Sequence, residues 1–205
     1  MLTQILLIAN IIVFSIFNVV LGKNTCGESW EAICVNDDFL LSFAQVNHLV
    51  ITGERVYQVF TSMFVHVFFF HLLWNMLSLW YFGSKLERHS GSLTFLGIYL
   101  SSGIIANIAS LALGPSIIAG ASGAVFGVVG AYILLTVRSK SAAIPAMIFI
   151  IGIHLPILVG ANVNVLGHTI GLATGTAIAL LRLRGPRLSV GSSYSNNHNN
   201  SNNPG

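Results

Sequence analysis

Long runs without a charged residue constrain this chain more than any other feature. Residues 2–22 contain no Asp, Glu, Lys or Arg, and about 20 apolar residues in a helix cross the roughly 30 Å hydrocarbon core of a bilayer. Charged residues make up only 7% of the chain, whereas soluble domains average roughly 25%. These observations exclude an ordinary soluble domain, and we expect a multi-pass membrane protein.

Apolar segments alternate with short breaks that contain charged residues, Gly or Pro. Gly83 is expected to begin a short loop, Gly114 and Pro115 to end a helix, and Pro156 to kink one. The first segment lacks the basic start and cleavage site of a signal peptide, which favours a retained helix. We predict an all-α, six-transmembrane-helix bundle in one domain, residues 1–188, followed by a disordered polar tail, residues 189–205. The predicted spans are residues 2–22, 56–83, 93–113, 120–137, 142–159 and 165–181.

The basic residues predict the orientation of this bundle. Six spans place both termini on one side, and most basic residues fall on that side, so the positive-inside rule predicts cytoplasmic termini. The polar loop of residues 23–55 then faces outward, where Cys26 and Cys34 either pair as a disulfide or remain free thiols. The net charge of +3 comes from scattered residues, so no nucleic-acid partner is inferred. The basic residues on the side of the termini are Lys85, Arg88, Arg138, Lys140, Arg182, Arg184 and Arg187, against Lys23 and Arg55 on the other.

Polar side chains from three separate spans are predicted to share the outer half of the bilayer. Ser122 is the third residue of the fourth span, so the non-helical stretch before it must descend into the protein. Such a stretch is tolerated only where it is buried or lines a wet cavity. We therefore expect a water-filled pocket that opens outward. The polar residues at this depth are His66, His71, Asn75, Ser122 and His168.

Glycines at a spacing of four predict close approach of the fourth and sixth spans. Gly123 and Gly127 repeat at this spacing, as do Gly167, Gly171 and Gly175, and small faces of this kind let two helix backbones come together. Glycines so spaced also pack helices with no chemistry. The packing reading leaves unexplained why a serine and a histidine lie beside the seam.

A serine and a histidine in contact suggest hydrolytic chemistry. The base takes the serine proton and returns it to the leaving group, while donors meet the developing oxyanion. Ser122 is the candidate nucleophile and His168 the candidate base. The Ser122 amide, at a helix N-terminus, is a candidate oxyanion donor together with His71 and Asn75. Because no Asp or Glu lies in the outer half of a span, the sequence predicts a dyad.

The set of motifs resembles the rhomboid intramembrane serine proteases. It comprises the ordered pattern His66, His71, Asn75, then GASGAVFG around Ser122, Gly83 four before Glu87, and GHTIGLATG around His168. The resemblance covers residues 54–184 and implies a rhomboid-type bundle, a Ser122/His168 dyad, and peptide-bond hydrolysis in or near transmembrane segments of substrate proteins. It implies supporting positions at His66, Gly120, Gly123, Phe126, Gly167 and Gly171.

Three positions depart from the family pattern. Many rhomboids carry Trp-Arg where this chain has Tyr57 and Gln58, which bears on how the first loop is anchored. Bacterial relatives often have a tyrosine that stacks on the histidine, and here Phe126 keeps the ring without the hydroxyl. The residue before the base is often alanine and here is Gly167.

Two other classes of function fit part of the pattern. A metal or proton transporter could use His66, His71 and His168, since ionisable residues inside a membrane mark pathways, although the chain has neither an intramembrane carboxylate nor internal repeats. A non-catalytic binder of membrane proteins is the third reading. For the protease reading we expect no cofactor or metal, the lipid bilayer and transmembrane proteins as partners, and a plasma-membrane location. Asn107 is expected to bond to a neighbouring helix, and no role is assigned to Asn162 or Asn164.

Overall fold

The computed structural model describes residues 1–16, 37–136, 143–154 and 163–184. These residues are mainly helical, with one two-stranded antiparallel sheet. Short 3₁₀ turns at Ser62–Phe64 and Leu111–Leu113 and a π-helical turn at Leu79–Gly83 join neighbouring elements. The elements in order are α1 (Leu2–Ser15), α2 (Asp37–Phe43), β1 (Gln45–Val46), α3 (Asn47–Ile51), α4 (Gln58–Thr61), α5 (Phe69–Ser78), α6 (Ser84–Ser90), α7 (Ser92–Ser110), β2 (Ile117–Ile118), α8 (Ser122–Thr136), α9 (Ala143–His154) and α10 (Val165–Arg184).

Two described helical stretches are long and apolar enough to cross a membrane. They are Ser92–Leu113 and Val165–Leu183, and the helices Leu2–Ser15 and Ser122–Leu135 are apolar but shorter. The predicted spans 2–22, 120–137 and 142–159 each extend beyond the described residues. The Pro156 kink, the Cys26–Cys34 pair and the predicted disordered tail also lie outside them.

Helices α8 and α10 meet along the predicted glycine seam. A Cβ added at Gly171 would collide with the carbonyl oxygen of Gly123, and one added at Gly175 would collide with that of Gly127. Only residues without a side chain permit backbones this close. The close approach predicted from the glycine spacing is therefore confirmed, and it places the N-terminal turns of the two helices side by side.

The span predicted over residues 56–83 is not a single helix, and the prediction that Gly83 begins a loop was wrong. Val65 and Phe68 have extended backbone angles, so α5 begins only at Phe69; the β-branched residues in Val65-His66-Val67 favour that break. At the other end Gly83 is helical, with φ −63° and ψ −46°. It lies against Leu79 and Phe95, and the chain stays helical until Gly91, whose φ of +83° ends α6.

An amide side chain anchors the segment before α4. The Gln58 amide nitrogen donates to the carbonyls of Leu41 (2.8 Å) and Ser42 (3.2 Å), and its oxygen accepts from the amide of Val46 (3.0 Å). The hydroxyl of Tyr57 donates to Ser42 as well. The Tyr57-Gln58 pair, where many rhomboids have Trp-Arg, thus still ties the first loop to the helical core.

Glu87 holds the start of α1. Its buried carboxylate accepts hydrogen bonds from the amides of Leu2 (2.7 Å) and Thr3 (3.0 Å) and from the hydroxyls of Thr3 and Ser92 (both 2.6 Å). Burial opposes ionisation, but the hydrogen bonds outweigh it and lower the pKa of Glu87 from 4.5 to about 2. A charged carboxylate therefore caps the amide groups at the N-terminus of the first helix.

Candidate functional site

Ser122 stands at the N-terminus of α8, at the end of an extended linker. The linker is fixed by the β1–β2 sheet, which pairs Gln45 with Ile118, and by a hydrogen bond from the Gly120 amide to the carbonyl of Ser62 (2.9 Å). Gly120 has φ of +117°, a region that residues with a Cβ rarely occupy. Ser122 is 8% exposed. The chain thus carries a hydroxyl into the interior where a helix begins.

His168 meets Ser122 at hydrogen-bond distance. Its Nε2 lies 2.8 Å from Oγ of Ser122, and the histidine is only 5% exposed. When Ser122 donates, Nε2 is the acceptor and the ring proton lies on Nδ1. The two residues are 46 positions apart in sequence and are joined because the glycine seam aligns the first turns of α8 and α10.

Phe126 supports the imidazole of His168. The two rings stack with centroids 4.5 Å apart and planes 12° from parallel. Phe126 also contacts Phe149 of α9, at a centroid distance of 5.0 Å. The stacking ring expected at this position is present, and it fixes the plane in which Nε2 faces Ser122.

His71 and Asn75 lie one turn apart on α5. The ring of His71 is packed directly against Gly120, where an added Cβ would come within 2.5 Å of Cε1. The Asn75 side chain is fully buried, and its Nδ2 donates to the carbonyl of His71 (2.8 Å). Within the part of the chain that the structure describes, its Oδ1 has no hydrogen-bond partner. His71 thus brings a polar ring to the linker that precedes Ser122, and Asn75 lies one helical turn behind it.

His66 holds the same linker from the extended break before α5. Its Nε2 accepts a hydrogen bond from the amide of Ala121 at 3.3 Å, and its ring lies edge-on to His71, 5.1 Å between centroids. His66 therefore contacts the residue that immediately precedes Ser122. Among the described residues, no group of three or more His, Cys, Asp or Glu side chains is arranged to hold a metal ion.

The small residues named in the sequence keep neighbouring groups close. A Cβ at Gly123 would lie 2.7 Å from Cβ of Ala106 on α7, and one at Gly167 would lie 2.5 Å from Nδ2 of Asn164. Gly120, Gly123, Gly167 and Gly171 therefore each mark a contact with no room for a side chain.

Sequence reasoning assigned no role to Asn164, which the structure places at the start of α10. Its Oδ1 accepts from the Gly167 amide at 2.8 Å, and its Nδ2 donates to Oγ of Ser110 at 2.6 Å. An Asn three residues before a helical glycine is an N-cap signal that could have been read. The predicted contact of Asn107 with a neighbouring element is confirmed, since its Nδ2 donates to Val59 and Ser62.

The described part of the chain is mainly helical, with two helices long and apolar enough to cross a membrane and a buried Ser122–His168 pair where α8 and α10 begin. The chain belongs to the rhomboid family, because the family model described as the Rhomboid domain matches residues 53–185.

Curated relatives come from bacteria, plants and yeast. The chain is 35% identical to Rhomboid protease GluP of Bacillus subtilis over 147 residues, covering 68% of this chain and 29% of that protein. It is 37% identical to the mitochondrial RHOMBOID-like protein 6 of Arabidopsis thaliana over 145 residues, covering 67% and 47%. RHOMBOID-like protein 1 of the same plant is 34% identical over 159 residues, covering 74% and 40%. The chain thus spans less than half the length of each of these relatives.

Proposed function

We propose that this chain is an intramembrane serine protease in which Ser122 is the nucleophile and His168 the general base. The observation that carries the proposal is the 2.8 Å contact between His168 Nε2 and Ser122 Oγ. Family membership supports the same reaction class, as does the printed name of a relative, Rhomboid protease GluP.

The geometry suits acyl transfer at a peptide carbonyl. Oγ of Ser122 attacks the carbonyl carbon while its proton passes to Nε2 of His168. The tetrahedral intermediate collapses as the imidazolium returns that proton to the leaving amine nitrogen, which leaves an acyl ester on Ser122. A water molecule, deprotonated by His168, then attacks the ester carbonyl. The bond between the acyl carbon and Oγ breaks, the imidazolium returns the proton to Oγ, and the new C-terminal carboxylic acid leaves.

The oxyanion of each tetrahedral intermediate needs preorganised donors. The Ser122 amide is one, because it lies in the first turn of α8, where amides have no intrahelical acceptor and the helix dipole is positive. We assign His71 and the second Nδ2 proton of Asn75 as the others. The close packing of His71 on Gly120 supports this assignment.

We further propose a six-span rhomboid-type bundle with both termini in the cytoplasm and a water-filled cavity open to the outside. The distribution of basic residues supports the orientation. The extended linker before Ser122 supports the cavity, since non-helical backbone at membrane depth needs protein or water around it. The membrane is proposed to be the plasma membrane; two relatives, from Arabidopsis thaliana and yeast, have names that place them in mitochondria.

Transmembrane proteins are the proposed substrates. The test reconstitutes the purified chain in liposomes with a synthetic single-span polypeptide whose outer helix end is rich in Gly, Ala and Ser, and with a Leu-rich counterpart. The expected result is one cleavage at the small residues, detected by mass spectrometry and lost in Ser122→Ala. Binding without cleavage would support the binder reading, and metal flux that survives Ser122→Ala would support a transporter.

A further inference from the structure

One side chain joins the helix of the histidine to the helix behind it. Asn164 accepts from the Gly167 amide (2.8 Å) and donates to Oγ of Ser110 at the end of α7 (2.6 Å). Its own carbonyl accepts from the His168 amide (3.1 Å). Asn164 is thus the N-cap of α10, and its carbonyl accepts a backbone hydrogen bond from the His168 amide. Its side chain also ties this first turn to α7.

The end of α7, which holds Ser110, also makes contacts with the segment that leads to Ser122. Ser110 lies one turn beyond Asn107 on α7, and Nδ2 of Asn107 donates to Oγ of Ser62 at 2.9 Å. The carbonyl of Ser62 in turn accepts from the amide of Gly120 (2.9 Å). Asn107, Ser62 and Ser110 are all buried. The end of α7 is therefore a common support for both halves of the Ser122–His168 contact.

The glycine before His168 is required by the same bridge. A Cβ at Gly167 would lie 2.5 Å from Nδ2 and 2.9 Å from Cγ of Asn164, and 2.9 Å from Oγ of Ser110. An alanine at 167 and the Asn164–Ser110 hydrogen bond thus compete for one space. An alanine at position 167, which the family often has before the base, would therefore require the Asn164 side chain to move away from Ser110.

We propose that Asn164 is a positioning residue for His168, coupled sterically to Gly167. This role rests on the proposed dyad. The hydrogen-bond bridge between α10 and α7 sets the depth and rotation of the His168 imidazole. Asn164 touches neither the substrate nor the reacting atoms. Its effect is on the orientation of Nε2 toward Ser122, and misplacement of a reacting group by about 1 Å can lower a rate by roughly 10²-fold.

The first test compares Asn164→Ala with the control Thr169→Ala. Thr169 lies on the same turns of α10 and its hydroxyl bonds to Val165, but its side chain is exposed. Asn164→Ala is expected to lower kcat for the single-span substrate roughly 10- to 100-fold with KM within about 2-fold of wild type. Asn164→Asp keeps an acceptor for the Gly167 amide but has no donor for Oγ of Ser110, whose own proton goes to the carbonyl of Ala106 (2.7 Å), so it should restore only part of the rate. Thr169→Ala should match wild type.

The second test is a double-mutant cycle with Gly167→Ala. Alone, Gly167→Ala should lower kcat about as much as Asn164→Ala, because the new Cβ displaces the bridge. In the double variant the new Cβ no longer meets the Asn164 amide, and only its contact with Oγ of Ser110 (2.9 Å) remains. The loss should therefore be close to that of Asn164→Ala alone. Multiplicative losses in the cycle would overturn the steric coupling.

The outcomes separate this inference from the proposed function. An inactive wild type, not labelled at Ser122 by a fluorophosphonate, would overturn the dyad itself. If wild type is active, a second outcome is that Asn164→Ala differs from it in stability alone: it would unfold at a lower temperature but keep the wild-type kcat per site titrated with fluorophosphonate. That result would show that Asn164 only caps the helix. A rise in KM with unchanged kcat would equally contradict a role in positioning His168.

Discussion

The imidazole of His168 lies flat on the phenyl ring of Phe126, with centroids 4.5 Å apart and planes 12° from parallel. Phe126 follows Ser122 by one helical turn, so α8 supplies both the hydroxyl and the surface on which its partner ring rests. Ring stacking contributes about 0.5–1.5 kcal/mol beyond area burial. The orientation of His168 thus depends on a neighbour that takes no part in proton transfer.

Phe126→Leu should therefore lower the rate at which Ser122 reacts with a fluorophosphonate by about 2- to 10-fold, the equivalent of the lost stacking. Phe126→Tyr keeps the ring and should react nearly as fast as wild type. The measurement is the second-order labelling rate, followed by intact mass. A leucine variant as fast as wild type would show that the stacking does not orient His168.

Asn75→Ala should lower kcat by roughly 10²- to 10³-fold and leave KM nearly unchanged, because an oxyanion donor acts mainly in the transition state. Ser78→Ala is the matched control: Ser78 lies on the same helix and, like Asn75, bonds to the carbonyl four residues earlier. Cleavage kinetics of the single-span substrate give both constants. If the two substitutions lowered kcat equally, Asn75 would not be an oxyanion donor.

Gly120→Ala should abolish most activity, since it strains a backbone at φ +117° and drives a Cβ into the ring of His71. Gly53→Ala provides the control because Gly53 also has positive φ, +83°, but has nothing within 4 Å of an added Cβ. Positive-φ backbone costs a non-glycine residue about 1–2 kcal/mol. Gly53→Ala therefore reports the cost of backbone strain alone, and Gly120→Ala should lose more stability because it adds the clash with His71. Only Gly120→Ala should lose labelling at Ser122; loss in both would make backbone strain alone the cause.

Glu87→Gln should destabilise the protein by on the order of 2 kcal/mol at neutral pH, since it weakens hydrogen bonds to a charged carboxylate. The folded-state pKa of about 2 lies below the ordinary 4.5. The stabilisation is therefore full above pH 4.5 and is lost as the pH falls toward 2. Thermal unfolding in detergent should show the gap between wild type and Glu87→Gln shrinking over that range. Glu54→Gln, at an exposed position, is the control and should unfold at the same temperature as wild type. A difference between wild type and Glu87→Gln that stays constant with pH would contradict a charged cap.

The Ser122–His168 contact could be predicted because its determinants are local. Each residue lies in the first turn of its helix, and the glycine spacing that brings those helices together is readable in the sequence. The same holds for the ring at Phe126, which one helical turn places beside Ser122.

Other features depend on tertiary contacts that no local pattern shows. Gly83 looks like a helix stop but stays helical because Leu79 and Phe95 pack against it. Gln58 carries no charge, so only its three contacts with the preceding segment show that it serves as an anchor. The bridge made by Asn164 needs Ser110, 54 residues away, to be complete.

The most direct test of the central claim is fluorophosphonate labelling of purified wild type, Ser122→Ala and His168→Ala, read by intact-mass spectrometry. A nucleophile and its base act as a unit, so we expect one adduct on wild type and none on either variant. Circular dichroism would confirm that all three proteins are equally helical. Wild type that folds but takes no adduct, or His168→Ala that labels as fast as wild type, would contradict the Ser122–His168 dyad.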